Sequence, residues 1–430
     1  MLNKLKSNKY FINSNWLFLE KIYRFIIGFF VSTLVIRYLG PTNFGILSYI
    51  QSIVSILAVF VSLGLDAIVL KEMIKNPDKK YLYLSVSIIS RFLVSLGIVF
   101  VIFIIQKYIL NNSNKCFLLW ILSLGLFFES FSILKIYFQE KILSKYEVIA
   151  NLISLTIGAL LKIYLLINSY ELIYFVVVIV FEKSIYALSL YIFFKKQESS
   201  FRFGYDKEVM FDLLKNSWPL IFSTLSYIIY TRTDQIMIEH FLGSYEVGIY
   251  SAAVRLYELP FIVTTIISGT LTPVLYRKFN ENKKEFFDLT LKILSYMSLF
   301  AYAIVAVYIF YGKEIILLLF GDKYMESYKV LMILSFIIIV MLVSFLRSGY
   351  IILINNQTKL LYINIIMIIL NVLLNIILYK IYSFMGIVYA TLITRVFSFI
   401  YFSFYKDIRP YVFVQVKALL LIGLFKKGIK

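Results

Sequence analysis

Histidine and cysteine are almost absent: His240 and Cys116 each stand alone among 430 residues. A disulfide framework or a zinc cluster is excluded by count, and catalysis through histidine has little to draw on. Charge is scarce as well, at 16% of residues, where soluble domains carry about 25%. Polar connections are short, so no segment is long enough to fold as a separate soluble domain. The chain also lacks the GxxxxGK[ST] phosphate loop, so direct drive by ATP is not expected.

What fills the chain instead is apolar. Hydrophobic residues make up 61%, more than a soluble core can bury, so the remainder must face lipid. Stretches long enough to cross about 30 Å of hydrocarbon fall near 16–37, 44–70, 82–105, 117–138, 147–168 and 172–194. Six more lie near 218–239, 248–275, 289–311, 330–353, 360–382 and 386–405. They predict an all-α polytopic membrane protein with about 12 transmembrane helices. Lys4, Lys6 and Lys9 precede the first stretch with no cleavage site behind it, which reads as a retained span.

Basic residues outnumber acidic ones by 43 to 24. No basic domain exists apart from the spans, so nucleic acid is not an expected partner. The surplus instead sets orientation. With a cytoplasmic N-terminus, lysine and arginine favour the inside segments by about four to one, and the C-terminus is then cytoplasmic too. The expected organisation is an N-terminal lobe over 1–196, a cytoplasmic linker over 197–217, a C-terminal lobe over 218–406 and a cytoplasmic basic tail over 407–430.

One phrase is written twice. RYLGPTNFGILSY occupies 37–49 and HFLGSYEVGIYSA occupies 240–252. Leu39-Gly40 matches Leu242-Gly243, Gly45-Ile46 matches Gly248-Ile249, and Ser48 matches Ser251. The copies follow the first and the seventh span, an even number of crossings apart, so both fall on one side of the membrane. That spacing predicts two six-helix lobes related as parallel repeats, with glycine permitting a tight break between consecutive spans.

These phrases, with SLGLDAIVLKEM at 62–73 and YTRTDQIMIEHFLGSYEVGIYSAAVRLYELP at 230–260, resemble the oligosaccharide flippases of O-antigen and capsule biosynthesis. Those belong to the polysaccharide transporter branch of the superfamily that also holds the MATE drug exporters. The resemblance implies a MATE-like bundle with a cavity opening to alternate sides. It implies an undecaprenyl-pyrophosphate-linked sugar repeat unit as cargo, moved to the outer leaflet of the bacterial cytoplasmic membrane. Membrane lipids and the polymerase machinery of the same pathway are the expected partners. No covalent chemistry, cofactor or metal is expected. A cation-coupled MATE-type drug exporter is the alternative, with a polytopic polymerase or glycosyltransferase behind it.

Charge inside the spans locates the candidate site. Arg91, Lys183, Arg232, Arg255 and Arg395 fall well inside, with Glu129, Glu182, Asp234 and Glu258. Each basic residue facing lipid at mid-membrane costs about 2.5–3.5 kcal/mol, so these should meet one another, water or cargo. Arg91, Arg232 and Arg395 have no opposite charge one turn away on their own helices. Their planar forks suit phosphate oxygens. Arg91, Arg232, Arg255 and Arg395 are therefore the candidates for the cargo pyrophosphate. Glu129, Asp234 and Glu258 are candidates for the coupling ion, since a carboxylate in a membrane is costly to keep charged. Arg255 and Glu258 share a helix face, and Pro260 should interrupt that helix. Lys162 and Arg347, nearer the span ends, are expected to snorkel.

Overall fold

The computed structural model describes residues 9–109, 113–199, 201–356 and 358–425. Lys4 and Lys6 lie outside them. Among the described residues every regular element is helical. Ten helical stretches are long and apolar enough to cross a membrane. The first, Asn15–Lys75, has 61 residues, about 90 Å at 1.5 Å per residue, which is enough for more than one crossing. Taking it as two arms and adding the 35-residue helix Lys207–Phe241 is consistent with the expected twelve.

Two compact units divide the chain. Unit 1 comprises 1–39 and 46–228, and unit 2 comprises 40–45 and 229–430. The division falls inside a helix, and not in the polar stretch 197–217. The reason is visible in unit 1. Phe201 is buried among Tyr81, Tyr137 and Phe194, and Ser85 Oγ bonds both the carbonyl (2.6 Å) and the amide (2.8 Å) of Gly204. The linker is thereby part of a core.

Unit 1 contains α1 (Lys9–Ser62), α2 (Leu65–Lys75), α3 (Lys80–Ile104) and a span in three pieces: α4 (Asn114–Ser123), α5 (Gly125–Glu129) and α6 (Leu134–Glu140). It continues with α7 (Lys145–Ile167), α8 (Leu172–Gln197) and the first part of α9 (Lys207–Phe241). Unit 2 holds the rest of α9, then α10 (Ser244–Tyr257), α11 (Phe261–Glu281), α12 (Lys283–Phe320), α13 (Ser327–Ser344) and α14 (Arg347–Leu353). It ends with α15 (Thr358–Tyr382), α16 (Phe384–Tyr401), α17 (Arg409–Leu419) and α18 (Ile422–Phe425).

The repeated phrase carries a repeated backbone. Gly40 interrupts α1 at φ 68°, ψ 171°, and Gly243 separates α9 from α10 at φ 97°, ψ −178°. This region is essentially glycine's alone. The second glycine of each copy has a different task. A Cβ on Gly45 would lie 1.7 Å from the Ser244 carbonyl oxygen, and one on Gly248 would lie 1.9 Å from that of Pro41. Position 41 matches 244 and 45 matches 248, so the contact is reciprocal: within unit 2 the two copies pack against each other, glycine to backbone. Positive-φ residues elsewhere also recur in pairs at a nearly common but longer spacing, Ile142 with Asn355 and Ser169 with Ser383.

The C-terminal stretch expected as a basic tail is folded over 409–425. Gln415 donates to the Val343 carbonyl (2.9 Å), at the break between α13 and α14. Gly423 sits so close to α12 that its amide bonds Ser295 Oγ (3.1 Å).

Candidate functional site

In unit 1 the buried charges meet one another. Arg91 on α3 is 1% exposed, and its Nη2 donates to Asp66 Oδ1 at 2.6 Å. Lys135 on α6 holds the other oxygen of the same carboxylate at 2.8 Å. Asp66 stands in the first turn of α2, just after the left-handed pair Leu63 and Gly64. Arg91, read from its own helix as lacking a partner, therefore has one from an earlier helix. Lys183 faces Glu129 at 3.6 Å, which makes that candidate coupling residue one half of an ion pair.

Two expectations near span ends need correcting. Lys162 does not snorkel: its ammonium bonds Glu182 at 2.6 Å, both side chains mostly buried. Arg347 does not snorkel either. It is 7% exposed, lies over the rings of Phe399 and Phe402, and donates to the carbonyls of Ser398 and Phe399. The rings and carbonyls that hold it come from the end of α16 and the turn just after it.

Unit 2 follows a different rule. Asp234 on α9 is 5% exposed and is held by four neutral donors. Tyr250 Oη (2.9 Å) and Thr391 Oγ1 (2.8 Å) bond Oδ2, while Asn371 Nδ2 (3.1 Å) and Asn375 Nδ2 (3.0 Å) bond Oδ1. These come from three other helices, α10, α15 and α16. The buried Asn375 Oδ1 has no hydrogen-bond partner, an open acceptor beside a carboxylate. Sequence reading missed the two asparagines, although two amides one turn apart in an apolar run were a usable signal.

Two turns beyond Tyr250, α10 ends at Tyr257 and α11 begins at Phe261, with Glu258 and Pro260 in the interruption. The expected break is there. Glu258 lies within electrostatic reach of Arg232, Arg255 and Arg395. Arg395 lies over the Tyr230 ring at 4.3 Å, and Arg232 Nε has no hydrogen-bond partner. Arg255 in the last turn of α10 and Glu258 in the interruption after it are both exposed within a membrane-spanning stretch. Lipid cannot be what they face, so water or a ligand must be. A cavity of about 20 Å³, room for about one water, touches Asp234, Glu258 and Arg395 alike. Among the described residues no cluster of three His, Cys, Asp or Glu could hold a metal ion.

Such a bundle, all helix with charge at mid-span, is that of a membrane transporter, and comparison with known proteins agrees. Residues 12–279 match the family model described as polysaccharide biosynthesis protein, and residues 219–377 match the MatE model. The chain belongs to the polysaccharide biosynthesis protein family. It is 25% identical over 407 residues to the capsular polysaccharide biosynthesis protein CapF of Staphylococcus aureus, covering 92% of this chain and 99% of that one. Its fold is similar to that of the lipid II flippase MurJ in an inward closed conformation. There the TM-score is 0.73 and the identity 17%, over 97% of this chain and 94% of that one. An inward-facing multidrug resistance transporter of the MATE family gives 0.73 at 15% identity, over 90% and 94%. The chain is a multi-pass membrane protein with the fold those transporters share.

Proposed function

We propose that this chain is a flippase for lipid-pyrophosphate-linked oligosaccharide repeat units of a capsule or O-antigen. It moves them from the inner to the outer leaflet of a bacterial cytoplasmic membrane by alternating access, with both termini cytoplasmic. It does no covalent chemistry. The observation that carries this reading is the charge balance of unit 2, where Arg232, Arg255 and Arg395 lie within electrostatic reach of Glu258, and Asp234 is the other carboxylate at the same cavity. A pyrophosphate supplies the missing negative charge, and guanidinium forks match its oxygens. Family membership and the name of the capsular relative support the same cargo class.

A MATE-type drug exporter is the second reading, favoured by the match over 219–377. A cationic drug would meet a cluster of its own sign there, which ranks this reading lower. Asp234, with its neutral donors and the open Asn375 acceptor, is the residue we assign to the coupling ion. Glu258 is left to balance the arginines, and Glu129 is occupied by Lys183.

The test is export in the native host. Glutamine at Arg232, Arg255 or Arg395 removes a charge-assisted contact of about 1.5–3 kcal/mol, so surface polysaccharide should fall roughly ten- to a hundred-fold at unchanged protein level. Lysine should restore part of it, keeping charge without the fork. Full export by all three glutamine variants would sink the proposal.

A further inference from the structure

Arg347 and Arg395 in unit 2 both rest on aromatic rings, and the difference between them is informative. Arg347 lies over Phe399 and Phe402, and its Nη1 also donates to the carbonyls of Ser398 and Phe399. It is fastened from several sides at the end of a span. Arg395 on α16 lies 4.3 Å from the centre of the Tyr230 ring, and both line the small cavity that Asp234 and Glu258 share. Tyr230 is buried and packed with Ile363, Met367 and Phe402, so its neighbours fix the plane of the ring. The contact is also in register with the donors around Asp234. Tyr230 and Asp234 are one turn apart on α9, and Thr391 and Arg395 are one turn apart on α16. Asp234 accepts from Thr391 at 2.8 Å, and one turn away Tyr230 meets Arg395. The same antiparallel pair of helices is therefore joined twice, once at each group.

We infer that Tyr230 is the positioning residue of Arg395: the face of its ring holds the guanidinium ready for the cargo pyrophosphate. A ring holds a cation through the negative charge of its π face. That attraction fixes the guanidinium while leaving its net charge and its N–H donors for an anion. A carboxylate in the same place would cancel the charge and occupy the fork, as Asp66 does for Arg91. An arginine held in place beforehand also loses less freedom when the anion arrives, and that saving appears as affinity. The inference rests on the flippase reading and adds to it how one of its arginines is kept in position.

The experiment uses the full chain in lipid nanodiscs, with undecaprenyl diphosphate as the probe. Tyr230→Phe is the parent of a series in which phenylalanines carrying successively more ring fluorines are placed at the same position. Fluorine withdraws negative charge from the ring face and hardly alters its shape, so the fold is kept. Binding of the probe should weaken step by step along the series, by about two- to thirty-fold in all, the range that a cation–π contact spans. In an Arg395→Gln background every member of the series should bind alike. Equal binding along the series, while Arg395→Gln alone weakens it, overturns the inference and leaves the flippase reading intact. A stepwise loss that persists with Arg395→Gln overturns it too, because the ring would then act through another group. If Arg395→Gln binds the probe as the wild type does, Arg395 does not meet the pyrophosphate, and the reading of that arginine fails together with the inference.

Discussion

The two units answer the same physical demand differently. Unit 1 pairs its membrane charges with opposite charges: Arg91 and Lys135 with Asp66, Lys183 with Glu129, Lys162 with Glu182. Unit 2 surrounds Asp234 with neutral donors and sets three arginines within electrostatic reach of Glu258. An ion pair answers a charge with an opposite one from another helix and holds the helices together. A caged carboxylate and a positive excess are electrically open, because each improves on meeting an ion from outside. Repetition of the backbone thus sits beside a difference among the side chains, and the proposal places the binding of cargo in unit 2.

The comparison is broken hardest at the repeat itself. Alanine at Gly45 or Gly248 would drive Cβ to within 2 Å of a backbone carbonyl, which no rotamer relieves. Each should cost 3 kcal/mol or more, at or beyond the usual ~1–3 for overpacking, and the two losses should match if the contact is reciprocal. Folded protein recovered after detergent extraction measures it. Gly28 and Gly97, with open space around them, should accept alanine.

Next comes the contrast between arginines. Arg91→Gln leaves Asp66 with Lys135 alone, and breaking a buried pair costs about 3–5 kcal/mol. Because the Asp66 side chain is 42% exposed, the lower end applies. Folded protein should fall, and export with it. Arg255→Gln should instead lower export at constant protein level. Equal protein loss in both variants would erase the distinction between scaffold and binding unit.

A smaller effect is expected at Asp234. Asparagine there removes the charge and sets its own amide against donors that need acceptors. Export should lose its dependence on the driving ion gradient while cargo binding persists, measurable by imposing sodium and proton gradients separately. Retained dependence on the same gradient would move the coupling site elsewhere.

The smallest lies outside the spans. Lys359 bonds Asp407 at 2.6 Å, and that hydrogen bond holds the Asp407 carboxyl below its usual range. A depressed carboxyl contributes stability above its unfolded value, about 3.9, and loses it as pH falls through the lower folded value. Solvent screens this pair, so the contribution is under about 1 kcal/mol. Asp407→Asn should flatten the acid limb of a thermal-melting profile slightly and leave neutral pH almost unchanged.

Hydrophobic run length is a one-dimensional property, and it gave the helical, membrane-spanning class without any contact being known. The paired phrases gave the repeat, because glycine with positive φ and glycine against backbone are demands that sequence records directly. Arg232, Arg255, Asp234 and Glu258 were legible for a related reason: charge in a membrane is expensive wherever it folds. Partners were not legible. Arg91 looks alone on α3 because Asp66 is 25 positions earlier in the chain, and the donors to Asp234 come from as far as Thr391. Helical periodicity reports only neighbours three or four residues away. The sequence by itself therefore determined which charges needed an answer. Only the tertiary structure decided whether the answer was an opposite charge, a cage of amides and hydroxyls, or a place left open, because that choice depends on which distant helices are packed face to face.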